Sequence, residues 1–255
     1  MSSPSSAEPQ AEPQTLMAHL LELRRRLMWL VLVLLVCFFA LMPFAQKLYT
    51  FVAQPLMVNL PAGTSMIATD VIAPFFVPVK VTLMVAFLIT LPHTLYQVWA
   101  FVAPGLYRHE KRLIFPVLFS SIVLFFTGMA FAYFFVFPVV FKFLAGVTPA
   151  GVSMATDIDK YLSFVLGMFV AFGVVFETPV VVILLNRMGV VSVAQLQTAR
   201  AYVIVGAFVV AAIVTPPDVI SQTLLAVPLI VLYELGIVCC RLLGKRAASV
   251  PADEE

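Results

Sequence analysis

Two carboxylates stand among basic residues in the N-terminal half of the chain, Glu22 in HLLELRRRL and Glu110 in LYRHEKRL. Two carboxylates at one face could bind a guanidinium ligand, because arginine pairs with carboxylates through two parallel hydrogen bonds. The alternative is local pairing, of Glu22 with Arg26 one helical turn later and of Glu110 with Arg108 or Arg112. On these residues alone, local pairing is favoured.

A third carboxylate, Glu177, lies in the middle of an apolar stretch, AFGVVFETPVV. An ionisable group at membrane depth costs at least ~2.5 kcal/mol to insert, so it is a functional candidate by default. Pro179 loosens the backbone beside it and gives water a route to the carboxyl. The alternative is a structural glutamic acid that is hydrogen-bonded across the bundle.

A polar cluster follows near the C-terminal end of the chain, in VTPPDVISQT. Asp218 is placed to cap the helix that follows it, since helix N-termini favour carboxylates. Gln222 lies one turn further along the same face, and Thr215 ends the preceding segment. Polar side chains hydrogen-bond between helices in lipid, so these three residues are also a candidate docking site for another membrane helix.

The amino-acid composition is that of a membrane protein rather than a soluble one. The 255 residues are 62% hydrophobic and 11% charged, with a net charge of +2 and mean hydropathy of +1.07. A soluble domain carries about 25% charged residues, so a soluble enzyme, a nucleic-acid binder and a disordered scaffold are excluded. The three cysteines and three histidines show no disulfide or metal-ligand spacing. We therefore expect no cofactor.

The elements that must position these side chains are membrane-spanning helices. A helix needs about 20 mostly apolar residues to cross the hydrocarbon. The sequence predicts an all-α membrane protein with six spans, at about 27–45, 76–99, 115–137, 161–185, 202–214 and 219–235. Prolines inside or near them predict kinked helices and a cupped bundle: Pro43, Pro78, Pro92, Pro116, Pro138, Pro179 and Pro228. The last two spans are expected to be short, the fifth covering only ~20 Å.

The basic residues predict the orientation of these spans. Eleven Lys and Arg residues fall on the side of the two termini, against Lys47, Lys142 and Lys160 on the other side and Lys80 just inside the second span. The positive-inside rule therefore places both termini in the cytoplasm. We expect residues 1–15 to be a disordered tail, 16–243 a single membrane domain and 244–255 a C-terminal tail. The first span is too long for a cleaved signal and is interpreted as a retained anchor.

Several segments together resemble the TatC family, the multi-span core of the twin-arginine protein translocase. They are HLLELRRRL, PLMVNLPAG, MIATDVIAPFF, LYQVWAFVAPGLYRHEKR, GMAFAYFFVFP, YLSFVLGMFVAFGVVFETPVVVILL and TPPDVISQTLLAVPLIVLYELG. The resemblance covers about residues 16–243. It implies a protein that is not an enzyme, lies in the bacterial inner membrane and has six helices with cytoplasmic termini.

The resemblance also implies partners and roles. Such a protein binds twin-arginine signal peptides of folded cargo, recruits the single-span TatB and TatA, associates with further copies of itself and membrane lipids, and uses the proton gradient. The family's signal-binding positions fall on Glu22, Arg24, Phe101, Glu110, Lys111 and Arg112. Two positions that hold the external loop's shape fall on Pro55 and Asp70. The intramembrane polar position falls on Glu177, and the partner-helix site on Thr215, Asp218 and Gln222. Position 212, where related chains can carry Met, is Ala here.

Two other functions are less favoured. A proton-coupled transporter could use Glu177 as its relay, but the chain shows no convincing internal repeat. An intramembrane enzyme would need a catalytic motif, and the sequence contains no H-E-x-x-H, G-x-S-x-G or P-loop. Since no nucleotide motif is present either, the energy for transport is expected to come from outside the chain.

Overall fold

The computed structural model describes residues 16–57, 66–102, 111–147, 156–215 and 218–248, which are almost entirely helical. The helices are α1 (Leu16–Leu41), α2 (Ala45–Met57), α3 (Ala73–Val102), α4 (Lys111–Phe131), α5 (Phe137–Val147), α6 (Ile158–Phe176), α7 (Thr178–Arg187), α8 (Val193–Thr198), α9 (Arg200–Val214) and α10 (Val219–Ala248). Two strands, β1 (Met66–Ile67) and β2 (Thr156–Asp157), form a parallel pair. The predicted disordered tail, 1–15, lies outside the described residues.

Five helical stretches of the described chain are long and apolar enough to cross a membrane: Leu20–Val52, Ala73–Phe101, Phe115–Phe143, Ile158–Arg187 and Val219–Leu242. They contain the first four predicted spans and the sixth. The predicted fifth span is the core of α9, which has 15 residues. At 1.5 Å per residue α9 is only about 22 Å long, as the sequence led us to expect.

The expectation that the sixth span is short was wrong. Helix α10 has 30 residues and runs through Pro228 and past the predicted end at residue 235. It continues because Gly236 packs closely on α7, where an added Cβ would lie 3.1 Å from Val182. Ile237 and Cys240 are buried in the same contact. The predicted C-terminal tail, from residue 244, therefore begins inside this helix.

Three spans depart from regular α-helix beside a proline. The first changes to a 3₁₀ turn at Met42–Phe44, which contains Pro43. The third contains a π-helical turn at Ala132–Val136, two residues before Pro138. The fourth breaks at Glu177 between α6 and α7. Because proline lacks an N–H, a regular backbone ladder cannot continue unchanged through these positions. Helices α3, α4 and α10 run through their prolines.

The centre of the fold is the contact between α4 and α6. Gly128 of α4 lies against the backbone of Phe172 in α6, and Gly173 lies against the ring of Phe125. Both glycines are buried, and so are both phenylalanines. The missing side chains allow the two helices to approach closely, a packing mode that is common between helices in lipid. This contact fixes the distance between Glu177 and α4.

The loops at one end of the bundle are tied together through Asp157. Its carboxylate accepts hydrogen bonds from the backbone N–H of Thr69, at 3.0 Å, and from the Thr69 hydroxyl, and it also caps α6. Nearby, Lys80 of α3 forms a 2.6 Å ion pair with Asp159 and donates to Ser163. Hydrogen bonds to the ionised carboxylate lower the pKa of Asp157 well below its usual range. The bond from the Thr69 hydroxyl contributes most, and those from backbone N–H groups add to it.

This lowered pKa predicts an acid-sensitive link between the two loops. A carboxylate whose pKa is lower in the folded state stabilises that state above about pH 4, and this contribution is lost as the pH falls toward the lowered pKa. The protection factor of the Thr69 amide in hydrogen exchange should therefore fall below about pH 4. Thr69→Val should raise the Asp157 pKa, whereas Thr50→Val, whose hydroxyl bonds within its own helix, should not. Equal protection at pH 7 and pH 3 would contradict the assignment.

Candidate functional site

Glu22 lies on α1 at the end of the bundle opposite the two strands. Its Oε1 accepts two hydrogen bonds from Arg26, at 2.6 Å and 3.0 Å, so the local pair considered from the sequence is formed. Arg26 also donates to Gln97 of α3, at 3.1 Å. The three side chains join α1 to α3, and both members of the ion pair remain partly exposed.

These residues line a cavity of about 640 Å³ between α1 and α3, with Leu21, Arg25, Trp29 and Tyr96. The cavity combines one carboxylate, two guanidinium groups and two aromatic side chains. Aromatic faces attract guanidinium and ammonium groups, and a carboxylate binds them directly. The Glu22–Arg26 contact shows that a guanidinium fits at this carboxylate, and a cationic peptide side chain could bind there only in exchange for Arg26.

The other predicted signal-binding residues lie on α1, in the last turn of α3 and at the start of α4. Arg24 is exposed on α1, and Phe101 is half-buried in the last turn of α3. Lys111 and Arg112 begin α4, but their side chains are not described. Glu110 lies outside the described residues. The structure thus brings Glu22, Gln97 and the aromatic residues together, and it leaves the position of Glu110 relative to them as a prediction.

Glu177 occupies the break between α6 and α7. The Thr178 hydroxyl donates to the carbonyl of Val175 at 2.6 Å, in place of the N–H that Pro179 lacks. The Val175 carbonyl therefore keeps a hydrogen-bond donor at the break. Glu177 itself is only 7% exposed. Neither of its carboxyl oxygens has a hydrogen-bond partner among the described residues. Ser121 of α4 lies opposite this carboxyl, because Gly173, one turn before Glu177, packs against Phe125, one turn after Ser121.

The predicted docking residues lie around the connection from α9 to α10. Thr215 is buried, and its hydroxyl donates to the Ala211 carbonyl at 2.8 Å. Asp218 caps α10 by accepting from the Ser221 N–H at 2.7 Å, as capping chemistry predicts. Its second oxygen is buried and lacks a hydrogen-bond partner among the described residues, as does the Ser221 hydroxyl. Gln222 is half-buried.

The two predicted loop-shaping residues have different surroundings. Asp70 is exposed, and its side chain accepts from the Ile72 N–H at 3.1 Å, just before α3 begins. This bond orders the entry into the helix. Pro55, which we expected in a loop, lies in the last turns of α2, because the helix continues beyond the 3₁₀ turn to Met57.

Four polar residues at these sites were not predicted from the sequence: Gln97, Trp99, Ser121 and Ser221. Gln97 and Trp99 lie on α3 within LYQVWAF, and Ser121 lies in the apolar run of α4. A signal was present in each case, since polar atoms within a membrane helix need a partner. The sequence does not show where that partner lies: Gln97 binds a residue 71 positions away, and Trp99 a residue 22 positions away.

Comparison with known proteins decides the family. The profile of "Sec-independent protein translocase protein (TatC)" matches residues 18–228. The chain belongs to the TatC family. It is 54% identical over 226 residues to TatC of Escherichia coli (strain K12), covering 89% of this chain and 88% of that protein. It is 56% identical over 222 residues to TatC of Azotobacter chroococcum mcd 1, covering 87% of each chain.

A solved structure agrees with the fold of this TatC-family chain. The crystal structure of a twin-arginine translocase receptor, TatC, aligns with a TM-score of 0.77 and 40% identity, covering 89% of this chain and 99% of that one. The resemblance that the sequence motifs indicated is therefore confirmed. The protein is a multi-pass, helical translocase subunit and not an enzyme.

Proposed function

We propose that this chain is the receptor and core component of a twin-arginine translocation complex. It binds the twin-arginine signal peptides of folded proteins at the end of the bundle that carries Glu22. The observation that supports this most directly is the half-buried Glu22 carboxylate, which already holds a guanidinium at the edge of an aromatic-lined cavity. A crystal structure of a similar chain is described as that of a twin-arginine translocase receptor.

The binding chemistry we propose uses two carboxylates for two arginines. Glu110 is the main acceptor for one signal arginine, and Glu22 assists by accepting the other in exchange for Arg26. Arg24, Phe101, Lys111 and Arg112 complete the surface. Because the carboxylates are partly exposed, the attraction is screened by salt, and binding weakens as ionic strength rises.

The experiment that tests this proposal is a titration of the protein in nanodiscs with a fluorescent twin-arginine peptide. Anisotropy should show saturable binding that weakens with added salt, because charged contacts are screened. A peptide with both arginines replaced by lysine should bind at least about tenfold more weakly, since lysine cannot form the bidentate contact. Equal affinity for the two peptides would contradict arginine recognition.

We further propose that both termini are cytoplasmic in the bacterial inner membrane and that the α9–α10 connection docks the single-span TatB and TatA. Thr215, Asp218 and Gln222 form this docking site, and Ala212 is exposed beside it. One buried oxygen of Asp218 lacks a partner among the described residues, which supports the site, because a polar side chain on a docking helix would satisfy it. Further copies of the chain and lipids complete the complex, and the proton gradient drives export.

Replacing both Thr215 and Gln222 with apolar residues should weaken association with TatB and TatA but leave signal-peptide binding intact. The change removes polar partners worth about 1–2 kcal/mol each in model membrane helices. Co-purification from detergent measures it. Thr223→Val is the matched control, because its exposed hydroxyl bonds the carbonyl of Val219 within its own helix. Full recovery of both partners with the double variant would overturn the docking assignment.

A further inference from the structure

Three polar side chains from different helical segments meet in the interior of the bundle. The Trp99 indole N–H of α3 donates to the Ser121 hydroxyl oxygen of α4 at 2.9 Å. Ser121 is fully buried, and Trp99 and Glu177 are 4% and 7% exposed. Ser121 lies opposite Glu177 in the contact between α4 and α6, because Phe125, one turn after Ser121, packs against Gly173, one turn before Glu177. The predicted site contains Glu177 but neither of the other two residues.

The direction of the hydrogen bonds follows from the chemistry of the groups. An indole N–H can only donate, so Ser121 must accept from Trp99. A hydroxyl that accepts one bond still carries a proton of its own. Neither oxygen of the Glu177 carboxyl has a hydrogen-bond partner among the described residues. An unsatisfied polar group is costly in an apolar interior. The Ser121 hydroxyl is therefore expected to donate a hydrogen bond to the Glu177 carboxyl.

We propose that Ser121 is a positioning residue for Glu177: its hydroxyl accepts from Trp99 and donates to the Glu177 carboxyl, so that the three side chains form one hydrogen-bonded string. The Trp99–Ser121–Glu177 string fixes the carboxyl at the helix break. This proposal rests on the proposed export function, in which Glu177 is the intramembrane polar residue.

The apolar surroundings leave the string few alternatives. Trp99 packs in a cluster with Leu95, Phe125 and Val180, which covers the contact between α3, α4 and α7. The neighbouring Ser120 bonds the carbonyl of Val117 in its own helix, whereas Ser121 accepts from another helix. Hydrogen bonds in a chain polarise one another, so loss of the Glu177 end weakens the Trp99 end.

Trp99 fluorescence tests the string directly, because the chain contains only two tryptophans. In a Trp29→Phe background, Trp99 is the sole emitter. Ser121→Ala should shift its emission to shorter wavelength, because the indole loses its acceptor. Glu177→Ala should shift it in the same direction by a smaller amount, since Ser121 then accepts less strongly. Thr90→Val on the same helix, whose hydroxyl bonds Ala86, should cause no shift.

The outcomes separate this inference from the proposed function. A shift with Ser121→Ala but none with Glu177→Ala would overturn the string, and Glu177→Ala tests it without altering Ser121. In export assays the double variant Ser121→Ala/Glu177→Ala should export cargo no more slowly than Glu177→Ala alone. If the double variant instead lost the product of the two single losses in rate, Ser121 and Glu177 would act independently, which would contradict the string. Signal-peptide binding should stay unchanged when Ser121→Ala, Glu177→Ala or Thr90→Val is made in the chain that keeps Trp29, since Trp29 lines the cavity beside Glu22. Failure of the unaltered protein to bind the peptide would refute the receptor proposal but leave the emission test valid.

Discussion

Replacing Glu22 and Glu110 together with glutamine is expected to abolish binding of a twin-arginine signal peptide while the protein still inserts and folds. Glutamine keeps the shape of each side chain but removes the charge that holds a guanidinium. A hydrogen bond to a charged group is worth about 1.5–3 kcal/mol. Loss of two such contacts should weaken binding by at least about a hundredfold. Anisotropy titration of the labelled peptide measures the change.

The matched control for these variants is Glu234→Gln. Glu234 of α10 pairs with Arg200 of α9 at 2.7 Å and is exposed to a similar degree, but it does not line the cavity beside Glu22. Its loss should leave peptide affinity unchanged. If the Glu22/Glu110 double variant binds the peptide as tightly as this control, the recognition assignment is wrong.

Gly128→Ala should strongly destabilise the bundle. A Cβ at residue 128 would lie 2.4 Å from the backbone oxygen of Phe172, and a backbone atom cannot rotate away from it. Helices α4 and α6 would have to separate, and overpacking of this kind costs about 1–3 kcal/mol or more. We expect a clearly lower midpoint of thermal unfolding in detergent and a reduced yield of monodisperse protein.

Gly167→Ala provides the comparison within the same pair of helices. Among the described residues, no atom outside the adjoining turns of α6 itself lies within 4 Å of a Cβ built at residue 167. Alanine is favoured over glycine inside a helix by about 1 kcal/mol, so this variant should be as stable as the unaltered protein or slightly more stable. Equal midpoints for the residue 128 and residue 167 variants would contradict the close contact between α4 and α6.

The spans were predictable because crossing a bilayer requires a long apolar run, which composition reveals directly. The short α9 was predicted for the same reason. The end of α10 was not, because Glu234 and Gly236 interrupt the apolar run, although it resumes at Ile237 and extends to Leu242. What holds it there is the packing of Gly236 against Val182, a contact between residues far apart in sequence.

In the candidate site, too, the sequence predicts contacts within one helix but not contacts between helices. The Glu22–Arg26 pair follows from four-residue spacing on a helix, so the sequence predicts it. The contact from Arg26 to Gln97 and that from Trp99 to Ser121 depend on how α1, α3 and α4 are arranged. A single serine in an apolar run carries no periodic signal, so its role becomes visible only when the helices are packed together.

The most direct test of the receptor proposal is site-specific cross-linking from a twin-arginine peptide, mapped along residues 16–112. A photoreactive group placed next to the arginine pair should label residues around the cavity beside Glu22 and the segment around Glu110. A peptide with lysines in place of the two arginines should lose this labelling. Labelling confined to the opposite end of the bundle, near the two strands, or labelling that is equal for both peptides, would contradict the account.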